Sequence, residues 1–471
     1  MRQLPGPPAI KWLRTLRLFK LIFRPLDYFD DDRKRYGDIY QLGGLTSPPF
    51  VIVSNPQAIE EIFTASPDSF EVGRGNASLS FLLGDNSLLL LDGEPHRQKR
   101  RLLMPAFHGE CLQSYSQSIC EITEQVTGRT SPALEGRGQP LTNQWLVGKS
   151  FPVRLYMQEI TLRVILQAVF GLNRRQERYE QLRRLLSSLL DTISSPLSSS
   201  LIFFEALQQD WGSLSPWGRF LRLKQRVRQL LYEEIKERRE QDKQTGNDIL
   251  SVLMSAKDAS GKPMSDEELH DELMTLLVAG HETTASALVW ALYWIHYLPE
   301  VRDKLLGELE TLGEEKNWHQ IARLPYLEAV VAETLRIYPI VVGTFARRLK
   351  SPMELMGYKF ETGTAFAASI YLTHQREDLY PSPKQFRPER FWERQYSPYE
   401  YLPFGGGNRR CLGAALAQME MKLVLATILS RYELALKHNR PLKPVRRGLT
   451  IAPPSSFQMV VTKHKSPTKE V

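Results

Sequence analysis

The segment Phe404-Gly-Gly-Gly-Asn-Arg-Arg-Cys411-Leu-Gly413 constrains this chain more than any other part of its sequence. Its three consecutive glycines allow a tight turn and let the backbone approach a flat partner closely. A helix is predicted to begin at Cys411, because the run AALAQMEMKLVLATIL follows almost at once. A thiol at a helix N-terminus has a lowered pKa, and thiolate is the form that binds metal. The segment therefore predicts a metal-binding thiolate.

Cysteine usage limits the kind of metal site. The chain has three cysteines, Cys111, Cys120 and Cys411, which is too few for a four-cysteine zinc or iron–sulfur site. A low, odd count also argues against a secreted disulfide framework and favours a cytoplasmic protein. A lone cysteine can still be the one protein ligand of a heme iron. The alternative is a small buried residue beside a glycine-rich turn, the usual role of a free cysteine and the one we assign to Cys111 and Cys120.

Helical patterns fill most of the 471 residues, and no linker or repeat divides them. The run from Phe220 to Glu240 places its apolar residues on one face and is predicted to be a helix. Two short strand pairs are predicted: Asp38–Leu42 with Phe50–Val53, and Leu355–Phe360 with Thr364–Ser369. The serine-rich stretch Ser194–Ser200 is predicted to be a loop. We therefore expect a mainly α protein with small β-sheets (α+β), organised as one large domain over residues 1–471.

The N-terminal segment, residues 1–24, is basic and amphipathic. Its basic residues occupy one half of a helix and its large apolar residues the other: Lys11, Arg14, Arg17, Lys20 and Arg24 against Trp12, Leu16, Phe19 and Phe23. No window reaches the roughly 20 apolar residues that a spanning helix needs. Two alternatives stay open. Residues 9–24 either make weak contact with a membrane surface or form a surface helix with a solvated charged edge.

Four motifs, in order along Pro5 to Leu436, resemble those of the cytochrome P-450 family of heme-thiolate monooxygenases. The pattern F-x-x-G-x-R-x-C-x-G matches at Phe404, Gly407, Arg409, Cys411 and Gly413. The others are an ExxR pair on a predicted helix, an FxPxRF segment and an A-G-x-E-T-T run: Glu333-Thr-Leu-Arg336, Phe386-Arg-Pro-Glu-Arg390-Phe391 and Ala279-Gly280-His281-Glu282-Thr283-Thr284. The resemblance implies the cytochrome P-450 fold, a single helical domain enclosing heme b.

The same resemblance implies a set of cofactor-binding residues. Cys411 would be the axial ligand of the heme iron, and Glu333, Arg336 and Arg390 would form a structural triad beneath it. Heme propionates suit arginine forks, and the resemblance assigns them His96, Arg100, Arg347 and Arg409. Phe404, Gly413, Ala279 and Gly280 would also face the heme. Gly280 costs its helix about 1 kcal/mol relative to alanine, and room for dioxygen would explain that cost. Without the resemblance, a buried polar kink explains it as well.

The implied chemistry is insertion of one oxygen atom from dioxygen into an apolar substrate, with Glu282 and Thr283 delivering protons. The pocket segments of the family would supply Phe81, Leu82, Leu276, Ile340, Val341 and Val342, with few charges. A fatty acid or a terpene is the expected substrate class. Each of these residues alone could equally be part of the core. A peroxide-driven heme-thiolate peroxygenase and a non-catalytic heme-thiolate sensor are the alternative functions.

Electrons are expected from a separate ferredoxin or flavodoxin, since no fused reductase segment is recognisable. The formal net charge is +8, and Lys99, Arg101 and Arg410 flank the heme-binding segments. They could steer an acidic donor, or the charge excess could serve solubility alone. No nucleic-acid-binding motif accompanies it. We expect a soluble, cytoplasmic monomer, with membrane association left open.

Overall fold

The structure is a computed structural model. It describes residues 4–8, 11–42, 49–128, 145–171, 177–194, 208–212, 215–240, 248–313 and 317–465. Most of the predicted serine-rich loop lies outside these residues, and its first member, Ser194, ends a helix.

Helices account for most of the described chain, as the sequence predicts. They are α1 (Lys11–Phe23), α2 (Pro25–Tyr36), α3 (Pro56–Thr64), α4 (Ser80–Leu83), α5 (Gly93–Leu103), α6 (Gly109–Thr127), α7 (Val153–Phe170), α8 (Glu177–Ser194), α9 (Pro216–Glu240), α10 (Ile249–Ser255), α11 (Asp266–Tyr297), α12 (Pro299–Glu310), α13 (Trp318–Ile321), α14 (Pro325–Ile337), α15 (Ile370–His374), α16 (Arg390–Glu393) and α17 (Ala414–Arg431). The helix predicted over Phe220–Glu240 lies within α9.

Helix α11 is the central element. It begins at a capping box in which the Ser265 hydroxyl accepts the Glu268 N–H at 3.2 Å and the Glu268 carboxylate accepts the Ser265 N–H at 2.9 Å. Beyond its first turn the helix is buried on nearly every side, which is the pattern of a core helix. It packs along α7 and against α9, α14 and α17. These contacts place the A-G-x-E-T-T run in the middle of the protein.

In the part of the chain that the structure describes, the strands form four small sheets. They are β1 (Ile39–Gln41), β2 (Phe50–Val53), β3 (Phe70–Glu71), β4 (Ser150–Pro152), β5 (Arg347–Leu349), β6 (Met353–Leu355), β7 (Tyr358–Phe360), β8 (Ala365–Ala368), β9 (Tyr432–Leu436), β10 (Val445–Arg447), β11 (Thr450–Ala452) and β12 (Gln458–His464). The largest sheet has the order β1-β2-β8-β5-β3. The predicted hairpin between β1 and β2 is confirmed, with Ile39 opposite Val53.

The second predicted strand pair is wrong. Residues 353–355 pair with 358–360 through a turn at Met356 and Gly357, which have φ values of 52° and 77°. Two consecutive positive φ values are the mark of the tight hairpin turn that suits strand twist. Strand β8 instead runs parallel to β2 and antiparallel to β5. The sequence contains two turns with glycine, Met356-Gly357 and Glu361-Thr362-Gly363. The shorter turn, at Met356 and Gly357, closes the hairpin.

The buried apolar residues of the described ranges form three clusters. The largest surrounds α11 and includes residues of α6, α7, α14 and α17. A second lies between α3 and the five-stranded sheet, and a third joins α2 to β1, β2 and α15. The expectation of one domain over residues 1–471 stays a prediction.

Candidate active site

The loop before Cys411 turns sharply because two of its glycines have left-handed backbones. Gly405 and Gly407 have φ values of 66° and 63°, which side chains disfavour. A Cβ at Gly406 would lie 2.3 Å from the Phe63 ring. The predicted tight turn is therefore present, and all three glycines are required by its geometry.

Cys411 itself is held by the backbone. Its N–H donates to the Phe404 carbonyl at 2.9 Å, and the Gly405 N–H donates to Leu402 at 2.9 Å. Helix α17 begins at Ala414, so the prediction that a helix begins at Cys411 is wrong by three residues. The two intervening residues place the thiol before the helix, where it is exposed.

The expected lowering of the thiol pKa is also wrong for the protein alone. Burial raises the pKa of the Cys411 thiol, while the Gly413 N–H and the positive charges of Arg100 and Arg410 act in the opposite direction. The Cys411 side chain therefore lies in an internal recess, where its surface is accessible but protein atoms surround it. A coordinated metal cation deprotonates such a thiol outright, so a metal, and not the helix, would produce the thiolate here.

One face of α11 is open in the middle of an otherwise buried helix. Ala279 is exposed and Leu276, Gly280 and Thr283 are half-buried, while Glu282 and Thr284 are buried. Positions 276, 279 and 283 share one helix face, so a recess lies along it. The Thr283 hydroxyl donates to the Ala279 carbonyl at 2.7 Å, which ties the polar side chain of this face to its own helix.

Glu282 points away from that face into a buried polar cluster. Its carboxylate contacts the Arg154 guanidinium, accepts from the Gln158 amide at 2.8 Å and lies 3.7 Å from the Arg447 guanidinium. These partners stand on α7 and on β10. The carboxylate is therefore fixed between three elements as an ion-paired group.

Gly280 has a packing reason to be glycine. A Cβ there would lie 3.0 Å from Cδ1 and 3.2 Å from Cγ1 of Ile165, on α7. The glycine therefore allows α7 and α11 to approach closely. Room for dioxygen, the reason inferred from the resemblance, would come from Ala279 and its open face.

Four basic side chains from separate elements are the predicted propionate ligands. His96 and Arg100 lie four residues apart on α5. Arg347, on β5, donates to the Asn408 side chain at 3.2 Å and to the Gly406 carbonyl at 2.9 Å. Arg409 donates to the Leu88 carbonyl at 3.3 Å and pairs with Asp92 at 2.7 Å.

The electrostatics of this cluster favour an anionic group. Burial, reinforced by positive neighbours, lowers the pKa of Arg347 to about 10, of Arg409 to about 10 and of His96 to about 4. Among the described residues, the hydrogen-bond partners of Arg347 are neutral, and the buried Nε of Arg409 has no hydrogen-bond partner. Two carboxylates on a flat cofactor would supply the missing negative charge, so these residues fit heme.

The triad residues meet in a buried network. Arg336 donates to both oxygens of Glu333, at 2.6 and 2.8 Å, and the Arg390 Nε donates to the same carboxylate at 3.1 Å. All three side chains are at most 1% exposed. Their remaining donors reach backbone carbonyls, including that of His374 at 2.8 Å. The network therefore ties α14 to the segment that leads toward the cysteine loop.

Sequence reasoning missed His374, which links this network to the loop. Its Nε2 accepts the Leu402 N–H at 3.0 Å, two residues before Phe404. Burial and the Arg336 charge lower its pKa to about 3, so the ring is neutral. Nothing in the local sequence distinguishes this histidine, because its partners are 38 and 28 residues away.

The predicted pocket residues separate in the structure. Val341 is 38% exposed and Leu276 lies on the open face of α11. Phe81 packs against Trp217, at 5.3 Å between ring centroids, and Leu82 is buried. Val342 packs into the third apolar cluster.

Sequence reasoning also missed Leu449, which is 46% exposed in the turn between β10 and β11. The Ile451 N–H donates to Ile340 at 2.8 Å, and Arg447 reaches Glu282. These two contacts place the hairpin of β10 and β11 beside Ile340 and beside Glu282 of α11, with the exposed Leu449 in its turn. Only the tertiary pairing shows this, since the turn sequence itself is ordinary.

Lys99 is not a surface cation. It is 6% exposed, and its ammonium donates to the Asn86 carbonyl at 3.3 Å and to Glu268 at 3.2 Å. The prediction that Lys99 helps to dock an electron donor is therefore wrong. Arg101 and Arg410 are exposed.

A cysteine before a core helix, a buried cationic cluster and an open helix face define a heme-thiolate protein. Comparisons with known proteins agree. A sequence model of the family described as Cytochrome P450 matches residues 4–461. The chain belongs to the cytochrome P450 family. It is thus a monooxygenase of the oxidoreductase class that binds heme b.

Its relatives include two mycobacterial proteins. Cytochrome P450 135B1 of Mycobacterium bovis is 34% identical over 451 residues, covering 95% of this chain and 89% of that protein. Cytochrome P450 135A1 of Mycobacterium tuberculosis is 32% identical over 459 residues, covering 95% and 93%.

Two solved structures share the fold. Retinoic acid-bound cyanobacterial CYP120A1 has a TM-score of 0.80 at 26% identity, covering 98% of this chain and 99% of that one. The cytochrome P450DA heme domain has a TM-score of 0.81 at 22% identity, covering 98% of each. The mainly helical fold with small sheets is therefore confirmed.

Proposed function

We propose that this protein oxidises an apolar substrate of the fatty-acid or terpene class, with electrons from a separate ferredoxin or flavodoxin. The observation that carries the proposal is the open face of α11 at Ala279. Two exposed apolar side chains, Val341 and Leu449, stand on segments that neighbour α11 and would line the same pocket. Burial of apolar surface would drive binding there. The solved relative at 26% identity binds retinoic acid, an isoprenoid, which supports this substrate class.

Cys411 would hold the iron of heme b, and His96, Arg100, Arg347 and Arg409 would hold its propionates. When bound, heme supplies dioxygen activation and oxygen insertion, and the thiolate favours O–O cleavage. Phe404 and Gly413 would flank the ligand. Glu333, Arg336 and Arg390 would fix the backbone that carries it.

Thr283 and Glu282 would divide the proton-delivery role. The Thr283 hydroxyl lies on the open face and donates to the Ala279 carbonyl. It would deliver a proton into the recess by rotating away from that carbonyl, and Glu282 would supply the replacement proton. Glu282 is held by arginines on α7 and β10, and would feed that hydroxyl only when one of these contacts opens. Thr283→Ala should therefore lower product formed per electron consumed more than it lowers substrate affinity.

The cysteine role is tested with the carbon-monoxide difference spectrum of the reduced protein. Cys411→Ser should abolish the absorption band characteristic of a thiolate ligand, because serine oxygen does not reproduce thiolate donation. Cys111→Ser is the matched control and should leave the band unchanged. A band that survives in Cys411→Ser contradicts the assignment.

Substrate class and donor are tested separately. Fatty acids and terpenes, titrated one at a time, should displace water from the ferric heme and shift its spectrum, whereas charged amino acids of similar size should not. Turnover should then require a ferredoxin or flavodoxin with its reductase, and fall as salt rises if Arg101 and Arg410 steer docking. Turnover with peroxide but not with a donor would instead favour the peroxygenase. Ligand binding without reductant consumption on any lipid would favour the sensor.

We also expect a cytoplasmic monomer. The low cysteine count supports a reducing compartment, and light scattering of the purified protein checks the oligomeric state.

A further inference from the structure

Helix α1 carries a contiguous apolar stripe on its outer side. Leu16, Phe19 and Phe23 are 59%, 64% and 52% exposed, and their spacing of three and four residues puts them on one face. The rings of Phe19 and Phe23 are 4.4 Å apart between centroids. Single exposed apolar residues are ordinary on soluble proteins, but a contiguous patch indicates an interaction site.

The opposite side of α1 holds the helix to the protein. Arg17 pairs with Asp32 at 2.7 Å and donates to the Tyr28 hydroxyl at 2.6 Å. Lys20 contacts Asp31, and Leu21 packs against the third apolar cluster. An amphipathic helix normally turns its apolar face inward. Here the charged edge faces the protein, so the apolar stripe is left without a partner among the described residues.

The charge of the N-terminal segment suits an anionic surface. Its first 24 residues contain six basic and no acidic side chains. Arg17 and Lys20 pair with carboxylates of α2, whereas Arg24, directly after the stripe, is exposed. Asp27 of α2 is also exposed. A two-fold contact between two copies of this face would bring the same positive charges together. A second copy of the chain is therefore a poor partner for the stripe.

We propose that α1 binds the surface of a lipid bilayer containing anionic headgroups, with Leu16, Phe19 and Phe23 at the boundary between headgroups and acyl chains. Aromatic and aliphatic side chains beside basic ones are the pattern of interfacial helices. None of the described helices has an apolar stretch long enough to cross a bilayer, so the helix lies on the membrane.

The position of α1 gives this contact a use. Helix α1 packs against β10, the strand that leads into the turn with Leu449. A bilayer under α1 would therefore lie beside the hairpin whose Arg447 contacts Glu282 of α11. That an apolar substrate enters from the bilayer rests on the proposed function, whereas lipid binding does not.

The test is flotation of the heme-loaded full chain with two kinds of vesicle: phosphatidylcholine alone, and phosphatidylcholine mixed equally with phosphatidylglycerol. We expect binding to the mixed vesicles that weakens as salt rises. The double variant Phe19→Ser, Phe23→Ser should bind at least about tenfold more weakly. Burial of either ring alone contributes more than half of the free energy that corresponds to a tenfold change in affinity. Arg24→Glu should weaken binding to the mixed vesicles only.

Trp392→Ser is the matched control, since Trp392 is 56% exposed on another helix. It should bind vesicles like the unaltered protein, and all variants should keep the carbon-monoxide spectrum of the folded protein. The proposal is overturned if the unaltered chain stays unbound, if the double variant binds equally well, or if light scattering shows a dimer that the double variant dissociates. If the unaltered protein binds the mixed vesicles but lacks the thiolate band of the carbon-monoxide spectrum, the proposed function is contradicted and lipid binding is still supported.

Discussion

Replacing the buried Glu333 by glutamine should destabilise the protein far more than the same replacement of a glutamate at the protein surface. Glu333 accepts hydrogen bonds from Arg336 at 2.6 and 2.8 Å, from Arg390 at 3.1 Å and from the Arg387 N–H at 2.8 Å. The carboxylate and both paired guanidinium groups are fully buried. Removing the negative charge leaves two buried positive charges uncompensated, which costs about 3–5 kcal/mol.

The cost is measured as the shift in thermal unfolding, followed by circular dichroism. Unfolding entropy is about 2.1 cal/mol/K per residue. A chain of 471 residues that unfolds in one transition should therefore lose about 1 °C of Tm per kcal/mol. Glu333→Gln should lower Tm by about 3–5 °C, with no change in helix content below the transition.

Glu240→Gln is the matched control, because Glu240 forms an i,i+4 ion pair with Lys236 at 3.8 Å and is 65% exposed. Exposed pairs of this kind contribute about 0.3–0.5 kcal/mol, so its Tm should change by less than 1 °C on the same scale. Equal shifts in the two variants would refute the reasoning, since burial of the charges would then make no difference.

Three further outcomes are expected. Gly280→Ala gains about 1 kcal/mol of helix propensity but should be destabilised overall in urea unfolding, by about 1–3 kcal/mol, because its Cβ meets Ile165 at 3.0 Å; a more stable variant would contradict this packing. Gly84→Ala, with φ of 85° and a Cβ 2.0 Å from a carboxylate oxygen of α11, should lose more stability than Gly37→Ala, which has the same φ of 85° and open space. The free energy of unfolding should fall as pH drops below 6.5, because the pKa of His374 is about 3 in the folded protein and only the unfolded chain then binds a proton at this ring. His374→Asn should reduce the slope of unfolding free energy against pH by about 1.4 kcal/mol per pH unit. An unchanged slope would assign the effect to other groups.

Features that depend on local spacing were predictable. The glycine turn before Cys411 and the pair Glu333–Arg336 are set within a few residues, so the sequence indicated both. The hairpin of β1 and β2 was also predictable, because its strands are close neighbours in the chain. The resemblance to a known family added Arg390, which lies 57 residues from Glu333 and has no local signal.

Features that depend on burial were not predictable. The position of Cys411 before α17 suggested a lowered pKa for its thiol, but burial raises that pKa. Lys99 looks like a surface cation in sequence, yet α11 covers it with Glu268. Strand β8 pairs with a strand more than 300 residues earlier, a partner that no local pattern specifies.

The buried arginines that would hold the heme propionates link the supply of cofactor to the lifetime of the protein in the cell. Depressed pKa values at Arg347 and Arg409 mean that holding their charges inside the folded chain lowers its stability. A ligand that binds only the folded state stabilises it by mass action, by about 2.7 kcal/mol at a concentration of one hundred times Kd. Chains made faster than heme is supplied should therefore unfold more often and be degraded first. Cellular abundance would then follow heme availability even at constant rates of synthesis.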